Sequence, residues 1–312
     1  MAAIMIRVGI LGAGHLGKIH MSLLKNLKGF EIIGFYDNDP EVSAKTEKES
    51  GTKSFSSAQY LINACDAIDI VTPTPFHFEY ASMAIKAAKH VFIEKPITIN
   101  SAEAKKLVFL AREANIVAHA GHVERFNPAF LAAESQIDRP VFIDCRRIAT
   151  YNPRGTDVSV VLDLMVHDID LVLHLVKSPV KKISATGSAV LCPTEDIAEA
   201  RIEFDNGCVA TISASRVATH NLRKMTVFQK ENYFSIDFLE KAAVKSLVET
   251  ESDVKKITHQ KLETQPINAI ERELQLFAGA INHRRNNAVT LEEAYNTMKV
   301  ADEILEVIKK NL

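Results

Sequence analysis

Through the first 122 residues, short and almost wholly apolar runs alternate with longer stretches whose apolar residues recur every three to four positions. The short runs predict strands near 6–11, 31–36, 67–71, 90–94 and 116–119. The longer ones predict helices near 15–28, 40–49, 57–64, 77–89 and 101–114. Runs such as Ala67-Ile68-Asp69-Ile70-Val71 suit strands covered by helices on both faces, and the alternation predicts an α/β fold with a parallel, doubly wound sheet. Such sheets bind ligands at the carboxyl ends of their strands, which directs attention to the glycine turn after residue 11, to Thr72–His77 and to Glu94–Pro96.

After Asn127 the rhythm changes. A strand is predicted near 140–149 and one helix near 159–175, followed by strands near 181–191, 197–204, 208–215, 222–229, 232–238, 241–248 and 254–261. Short turns such as Asp205-Asn206-Gly207 join consecutive strands, so this second sheet is expected to be large, open and mostly antiparallel. Helices near 269–283 and 291–309 close the chain. The expected division is a first domain over 1–122 and a second over 123–312, the last helix being free to pack back on the first domain. Two domains also agree with 312 residues, each half being long enough to bury a core.

Charge adds mainly exclusions. Lys plus Arg is 37 against 39 for Asp plus Glu, so neither nucleic acid nor an anionic membrane is an expected partner. Residues 1–5 are apolar without a basic segment before them, and no apolar run reaches the ~18 residues of a membrane span. The expected location is cytoplasmic. Cys65, Cys145, Cys192 and Cys208 show no C-x-x-C spacing, so neither zinc nor a redox pair is expected, and reduced thiols suit the cytosol.

The candidate chemistry starts at Gly12-x-Gly14-x-x-Gly17, between a predicted strand and a predicted helix. Missing Cβ atoms there serve a tight turn, a close approach of pyrophosphate to backbone, and close packing of the helix. The amides opening the helix at His15 and Leu16 then face phosphate. A second strand ends in Asp37, where a carboxylate accepts from an adenosine ribose. Asn38 and Asp39 follow, and no Lys or Arg occurs before Lys45, which favours NAD over its 2′-phosphorylated form. At the end of the fourth predicted strand, the Lys95 ammonium suits an oxygen that gains negative charge as a carbinol is oxidised; the plain alternative is a surface lysine before a turn proline. Asp163 and His167, four apart, fall on one helix face, where a histidine beside a carboxylate can take and return a proton; the alternative is a pair that only serves the core.

In combination, Gly12-x-Gly14-x-x-Gly17, Thr72-Pro73-x-x-x-His77, Glu94-Lys95-Pro96 and Asp163-x-x-x-His167 resemble the Gfo/Idh/MocA oxidoreductases over essentially the whole chain. The resemblance implies an N-terminal Rossmann domain followed by an α/β domain with an open sheet. It implies NAD-dependent hydride transfer at a ring carbon of a sugar or cyclitol, with Lys95, Asp163 and His167 at the reacting centre. It also implies cofactor contacts from Thr72, Pro73, His77, Glu94 and Lys95, a cis Lys95–Pro96 bond, and a homodimer or homotetramer formed through the second-domain sheet. Gly121-His122-Val123-Glu124-Arg125-Phe126-Asn127-Pro128-Ala129 is similar to the segment of members that act on nucleotide-linked amino sugars, including UDP-N-acetylglucosamine 3-dehydrogenases.

On that basis Arg125, Asn127 and Arg154 are candidate diphosphate-binding residues; the alternatives are that Arg125 and Asn127 pin the interdomain linker and that Arg154 is a solvated loop residue. The chain departs from many relatives in carrying Thr156-Asp157-Val158-Ser159-Val160-Val161, rather than a glycine-rich run, ahead of the Asp163 helix. A dehydrogenase of a free sugar or cyclitol, and a non-catalytic NAD-binding regulator, are the alternatives. His119-x-x-His122 and His167-Asp168-x-Asp170 lack the spacing of a complete metal site, so no metal is expected. Ser215, Arg216 and His220 are candidates to line the pocket.

Overall fold

The computed structural model describes residues 5–152, 156, 158–251, 254–283 and 288–311. Two compact units are present: residues 1–122 with 270–298, and residues 123–269 with 299–312.

In the first unit, β1 (Ile6–Leu11), β2 (Phe30–Tyr36), β3 (Ala67–Ile70), β4 (His90–Glu94) and β5 (Ala118–Gly121) form a parallel sheet in the order β2-β1-β3-β4-β5. Helices α1 (His15–Asn26), α2 (Pro40–Ser50), α3 (Ala58–Ala64), α4 (His77–Lys86) and α5 (Ser101–Glu113) make the crossovers. Helix starts follow capping chemistry. Asp39 accepts from the amides of Glu41 and Val42 with Pro40 at the first position of α2, Ser57 accepts from Tyr60, and Asn100 accepts from Glu103. The left-handed Gly51 ends α2. Every residue of β3 is buried, including Asp69, an acid inside an apolar strand.

The second unit begins with a single 3₁₀ turn, Val123–Phe126, and α6 (Pro128–Glu134), neither of which the apolar pattern predicts. Asn127 caps α6 by accepting from the Ala129 amide. Then follow β6 (Phe142–Thr150), a π-helical turn Val161–Met165, α7 (Val166–Val176), β7 (Val180–Ser188), β8 (Ile197–Phe204), β9 (Val209–Ala218), β10 (Leu222–Phe228), β11 (Asn232–Asp237), β12 (Ala242–Glu251) and β13 (Val254–Lys261). The eight strands are ordered β13-β12-β11-β10-β6-β9-β8-β7, all neighbours antiparallel except β6 and β9. Alternate residues Ile143, Cys145, Ala200, Ile202, Ala210 and Ile212 are buried together with Ile169, Val172 and Val176 of α7. The other face is mixed: Thr211 donates to Asp144 at 2.9 Å, Arg146 Nε lies 3.2 Å from Asp144, and the Phe228 ring lies between those of Phe142, tilted at 6.0 Å, and Tyr233, stacked at 5.4 Å.

Two helices close the chain, α8 (Ala269–His283) and α9 (Leu291–Asn311). The division differs from the expected one because α8 carries Leu274, Phe277 and Ala278 into the core of the parallel sheet, beside Phe30 and Phe92. The end of α9 belongs instead to the second unit, where Asn311 donates to the carbonyl of Ala185 at 3.0 Å.

Candidate active site

At the carboxyl edge of the parallel sheet, Gly12, Gly14, His15, Leu16, Tyr36, Asp37, Asn38, Asp39, Thr72, Pro73, Phe76 and Tyr80 are among the residues lining a cleft of about 420 Å³. Three glycines shape it in three ways. Gly12 has φ +99° and lies against β3, so that a Cβ would sit 2.7 Å from the Val71 carbonyl oxygen. A Cβ on Gly17 would sit 2.1 Å from the Gly12 carbonyl oxygen, whereas one on Gly14 would meet nothing within 4 Å. The middle position is therefore bare for the sake of something that enters the cleft. Gly14 is also the N-cap of α1 and brings no side-chain acceptor to the opening amides, which leaves donors for an anion. Asp37 Oδ2 accepts from the Ala13 amide at 2.7 Å and Oδ1 from the Asp39 amide at 3.0 Å, which fixes the carboxylate at the rim. The open space over Gly14, the uncapped amides and the fixed carboxylate fit the pyrophosphate and ribose of a dinucleotide. No Lys or Arg is among the lining residues.

The next two loops are tied together below this cleft. His77 Nδ1 lies 2.8 Å from the Pro96 carbonyl oxygen and Nε2 lies 2.7 Å from the Thr72 carbonyl oxygen. Carbonyls only accept, so a neutral ring donates to one of them and a protonated ring to both. Burial lowers the His77 pKa, with the two carbonyls acting in the opposite sense. Expected among the cofactor contacts, His77 instead clamps the Thr72 and Pro96 loops from inside the unit, at 1% exposure. The Lys95–Pro96 bond is cis, and Lys95 is half-buried.

Glu94 points inward as well. Its Oε2 accepts from the Lys95 amide at 3.1 Å and its Oε1 lies 3.4 Å from His20 Nε2. His20 Nδ1 in turn lies 2.9 Å from Asp69 Oδ2. His20 and Asp69 play no part in the sequence motifs above. Their signal was an acid within a buried strand and a histidine on the inner face of α1, three residues after Gly17.

In the second unit Ser159 starts the segment that carries Asp163 and His167. Its carbonyl accepts from the Leu162 and Asp163 amides, and its hydroxyl accepts from Val161. The stretch predicted as one helix over 159–175 divides into the π turn and α7, an irregularity common at functional sites. Asp163 and His167 are half-buried, whereas their neighbours Leu162, Met165, Val166 and Asp168 are buried. Asp168 fixes the segment from within by a two-pronged pair with Arg147, at 2.9 Å on both oxygens, and Arg147 also donates to Glu124 at 2.7 Å. Burial works against the Arg147 charge, but the two carboxylates outweigh it and raise its pKa, so the guanidinium stays charged.

Arg125 and Asn127, candidate diphosphate ligands by sequence, are occupied by the protein's own groups. Arg125 grips Asp170 at 2.7 and 2.8 Å, and its Nη1 lies 3.1 Å from His174 Nδ1. Asn127 caps α6 and donates to Glu124 and to the Phe238 carbonyl. Both are buried. Arg154 lies outside the described residues. Arg216, a candidate pocket residue, is buried in an ion pair with Asp196 at 2.7 Å and donates to the Val158 carbonyl at 2.7 Å, which ties β9 to the start of the Ser159 segment. Ser215 is buried beside it, and His220 is exposed at the end of β9. Arg223 of β10 was not singled out by sequence. Its side chain is 42% exposed and its guanidinium stands 3.7 Å from a Glu124 oxygen that Arg147 already holds; burial and then the Arg147 charge lower its pKa, with Glu124, Asp168 and Asp163 acting in the opposite sense. Among the described residues no group of three or more His, Cys, Asp and Glu side chains is arranged to hold a metal.

Comparison with known proteins agrees with this architecture. Residues 6–122 match the Gfo/Idh/MocA oxidoreductase family, NAD-binding Rossmann fold, and residues 131–234 match the Gfo/Idh/MocA C-terminal domain. UDP-N-acetylglucosamine 3-dehydrogenase of Acidithiobacillus ferrooxidans is 35% identical over 75% of this chain and 74% of its own length. The NAD(+)-dependent scyllo-inositol 2-dehydrogenase of Bacillus subtilis is 25% identical over 73% of each chain. Among solved structures, a UDP-N-acetylglucosamine 3-dehydrogenase from Acidithiobacillus ferrooxidans superposes with a TM-score of 0.91 at 30% identity, covering 98% of both chains. Levoglucosan dehydrogenase in complex with NADH shares the fold, with a TM-score of 0.88 at 20% identity over 98% of this chain and 97% of that one. With an NAD-binding Rossmann domain, a family-matched C-terminal domain and relatives that are sugar dehydrogenases, the chain belongs to the Gfo/Idh/MocA family of oxidoreductases.

Proposed function

We propose that this enzyme oxidises a ring carbinol of a nucleotide-linked amino sugar, with UDP-N-acetylglucosamine or a close relative as substrate and C3 as the reacting carbon. The full-length likeness to UDP-N-acetylglucosamine 3-dehydrogenase carries this reading. NAD, when bound, supplies the hydride acceptor at its nicotinamide C4. The Gly12–Gly17 turn and Asp37 hold the pyrophosphate and ribose. Lys95 donates a hydrogen bond to the carbinol oxygen and stabilises the negative charge that grows there, His167 takes the hydroxyl proton, and Asp163 orients His167. Anchored by Asp168 to Arg147, the His167 backbone offers a fixed position for that proton transfer.

Arg223 is proposed to meet a substrate phosphate, because its side chain is half-exposed and its guanidinium is only loosely paired, 3.7 Å from Glu124. Arg154 is proposed as a second. Self-association through the open face of the β6–β13 sheet, as a homodimer or homotetramer, and a cytoplasmic location complete the proposal. No helix among the described residues is long and apolar enough to cross a membrane.

A second reading, a dehydrogenase of a free sugar or cyclitol, is favoured by one observation: Arg125 and Asn127 are committed to Asp170, Glu124 and Phe238, which removes two of the three residues expected to meet a diphosphate. A regulator without turnover has no use for Lys95, Asp163 and His167 together. Measuring NAD reduction with UDP-N-acetylglucosamine, free hexoses and inositols in parallel separates these readings. Turnover of the UDP-sugar supports the first, and robust turnover of unphosphorylated sugars with none of any UDP-sugar replaces it with the second.

A further inference from the structure

Three ionisable side chains with no place in the steps above lie buried together in the first unit. His20 is on the inner face of α1, Asp69 in the middle of β3 and Glu94 at the end of β4, with exposures of 0, 1 and 7%. The imidazole joins the two acids, with Nδ1 2.9 Å from Asp69 Oδ2 and Nε2 3.4 Å from Glu94 Oε1. Two buried carboxylates facing one ring can both remain ionised only if the ring carries the positive charge between them. Burial by itself opposes that charge on His20; the Asp69 carboxylate and then Glu94 overcome it and place the imidazole pKa well above its ordinary value. Burial likewise opposes the charge on Glu94, but His20 and then Lys95 pull its pKa below the ordinary carboxylate range.

The far oxygen of the same Glu94 carboxylate receives the Lys95 amide at 3.1 Å. A run of contacts therefore leads from β3 through His20 of α1 to Glu94 of β4 and the main chain of Lys95. Space is set aside for it. Glu94 pairs in register with Gly121 of β5, and a Cβ on Gly121 would stand 2.6 Å from Glu94 Oε1.

We propose that Asp69, His20 and Glu94 form a charged strap whose role is to position Lys95, with His20 and Glu94 acting as positioning residues and Gly121 keeping the berth of the Glu94 carboxylate open. The inference rests on the reading of Lys95 as a group that touches the substrate. The strap holds the main chain at the point where β4 gives way to the Pro96 turn, so that the lysine is presented from a fixed root. Losing the ring charge leaves two buried carboxylates without a cation between them. One of them must then take up a proton or move, and the hold on Lys95 loosens.

Two variants reach the strap by different routes. His20→Asn removes the charge, whereas Gly121→Ala removes no ionisable group and displaces only the end of the Glu94 side chain. Amide hydrogen exchange followed by NMR on the full chain reads the Lys95 amide directly. In both variants it should exchange at least about tenfold faster than in the wild type, while Val91 and Ile93, held in the β4 ladder, keep their protection. With UDP-N-acetylglucosamine as substrate, kcat should fall about tenfold or more in both, with NADH affinity held within about threefold. Unchanged Lys95 exchange in either variant, or a matching loss of protection at Val91 and Ile93, overturns the inference. A wild type that does not oxidise UDP-N-acetylglucosamine defeats the proposed function instead, and the exchange comparison then decides this inference alone.

Discussion

Gly14 and Gly17 are both glycines of one motif, yet the structure assigns them opposite burdens. At Gly14, φ is −65° and ψ is −166°, a conformation open to any residue, and an added Cβ meets nothing within 4 Å. Replacing it with alanine should therefore leave the fold intact or raise its stability by about 0.4–1 kcal/mol, through the unfolded chain. The methyl group, however, stands where pyrophosphate has to approach the opening amides of α1. Losing charge-assisted hydrogen bonds of that kind costs about 1.5–3 kcal/mol, which corresponds to roughly a 10- to 150-fold weaker Kd for NADH. At Gly17 the new Cβ would stand 2.1 Å from the Gly12 carbonyl oxygen, and both are backbone, so α1 must move. Overpacking of this order costs about 1–3 kcal/mol, and Gly17→Ala should lower Tm as well as binding. Thermal unfolding and NADH titration of the two variants side by side give the answer. A Gly14→Ala protein that binds NADH within about threefold of the wild type would refute the placement of the pyrophosphate at this turn.

Three further outcomes follow from the same geometry. Asp37 with Asn38 and Asp39, and no cation lining the cleft, should make the wild type bind NADH more tightly than NADPH, and tighter binding of NADPH in a titration would contradict this. Arg147→Met leaves Asp168 and Glu124 buried without their cation and should cost about 3–5 kcal/mol, whereas Arg201→Met, whose pair with Glu203 is about half-exposed, should cost under about 1 kcal/mol; equal Tm changes would exclude the buried network as a stabilising unit. His20, with its pKa raised on folding, contributes stability that is complete below the ordinary histidine value of about 6.5 and is lost as pH rises through the higher folded value. The Tm gap between wild type and His20→Asn should thus narrow toward alkaline pH, and a gap that widens would show the ring to be neutral in the folded state.

The parallel sheet was legible because buried strands read as apolar runs and its turns carry capping residues with a local mechanism: Asp39, Ser57 and Asn100 each stand where a cap is needed. The glycine turn was legible for the same reason, each glycine answering a local steric demand. Less visible was whatever depends on partners distant in sequence. Arg125 looks like an anion binder until Asp170, 45 residues on, is seen to hold it, and Asn127 until its cap on α6 is in place. The periodicity of 159–175 gave the helix but not the π turn, since a one-residue expansion does not disturb the apolar spacing enough to register. His77 was expected at the cofactor and proved to be a clamp, because no local pattern indicates that two carbonyls will meet its ring. The uncovered face of the second sheet is mixed, Val209, Thr211 and Ser213 alternating with buried Ala210 and Ile212.

Lys95 is the group on which the proposed chemistry turns. The most direct measurement is NADH formation from NAD and UDP-N-acetylglucosamine by the wild type and by Lys95→Ala, paired with NADH titration of both proteins. Turnover in the wild type, a fall in kcat of at least about 100-fold in Lys95→Ala and a nearly unchanged NADH Kd are the predicted results, as expected of a charge whose stabilisation is felt mainly in the transition state. Near-normal turnover in Lys95→Ala would contradict the account.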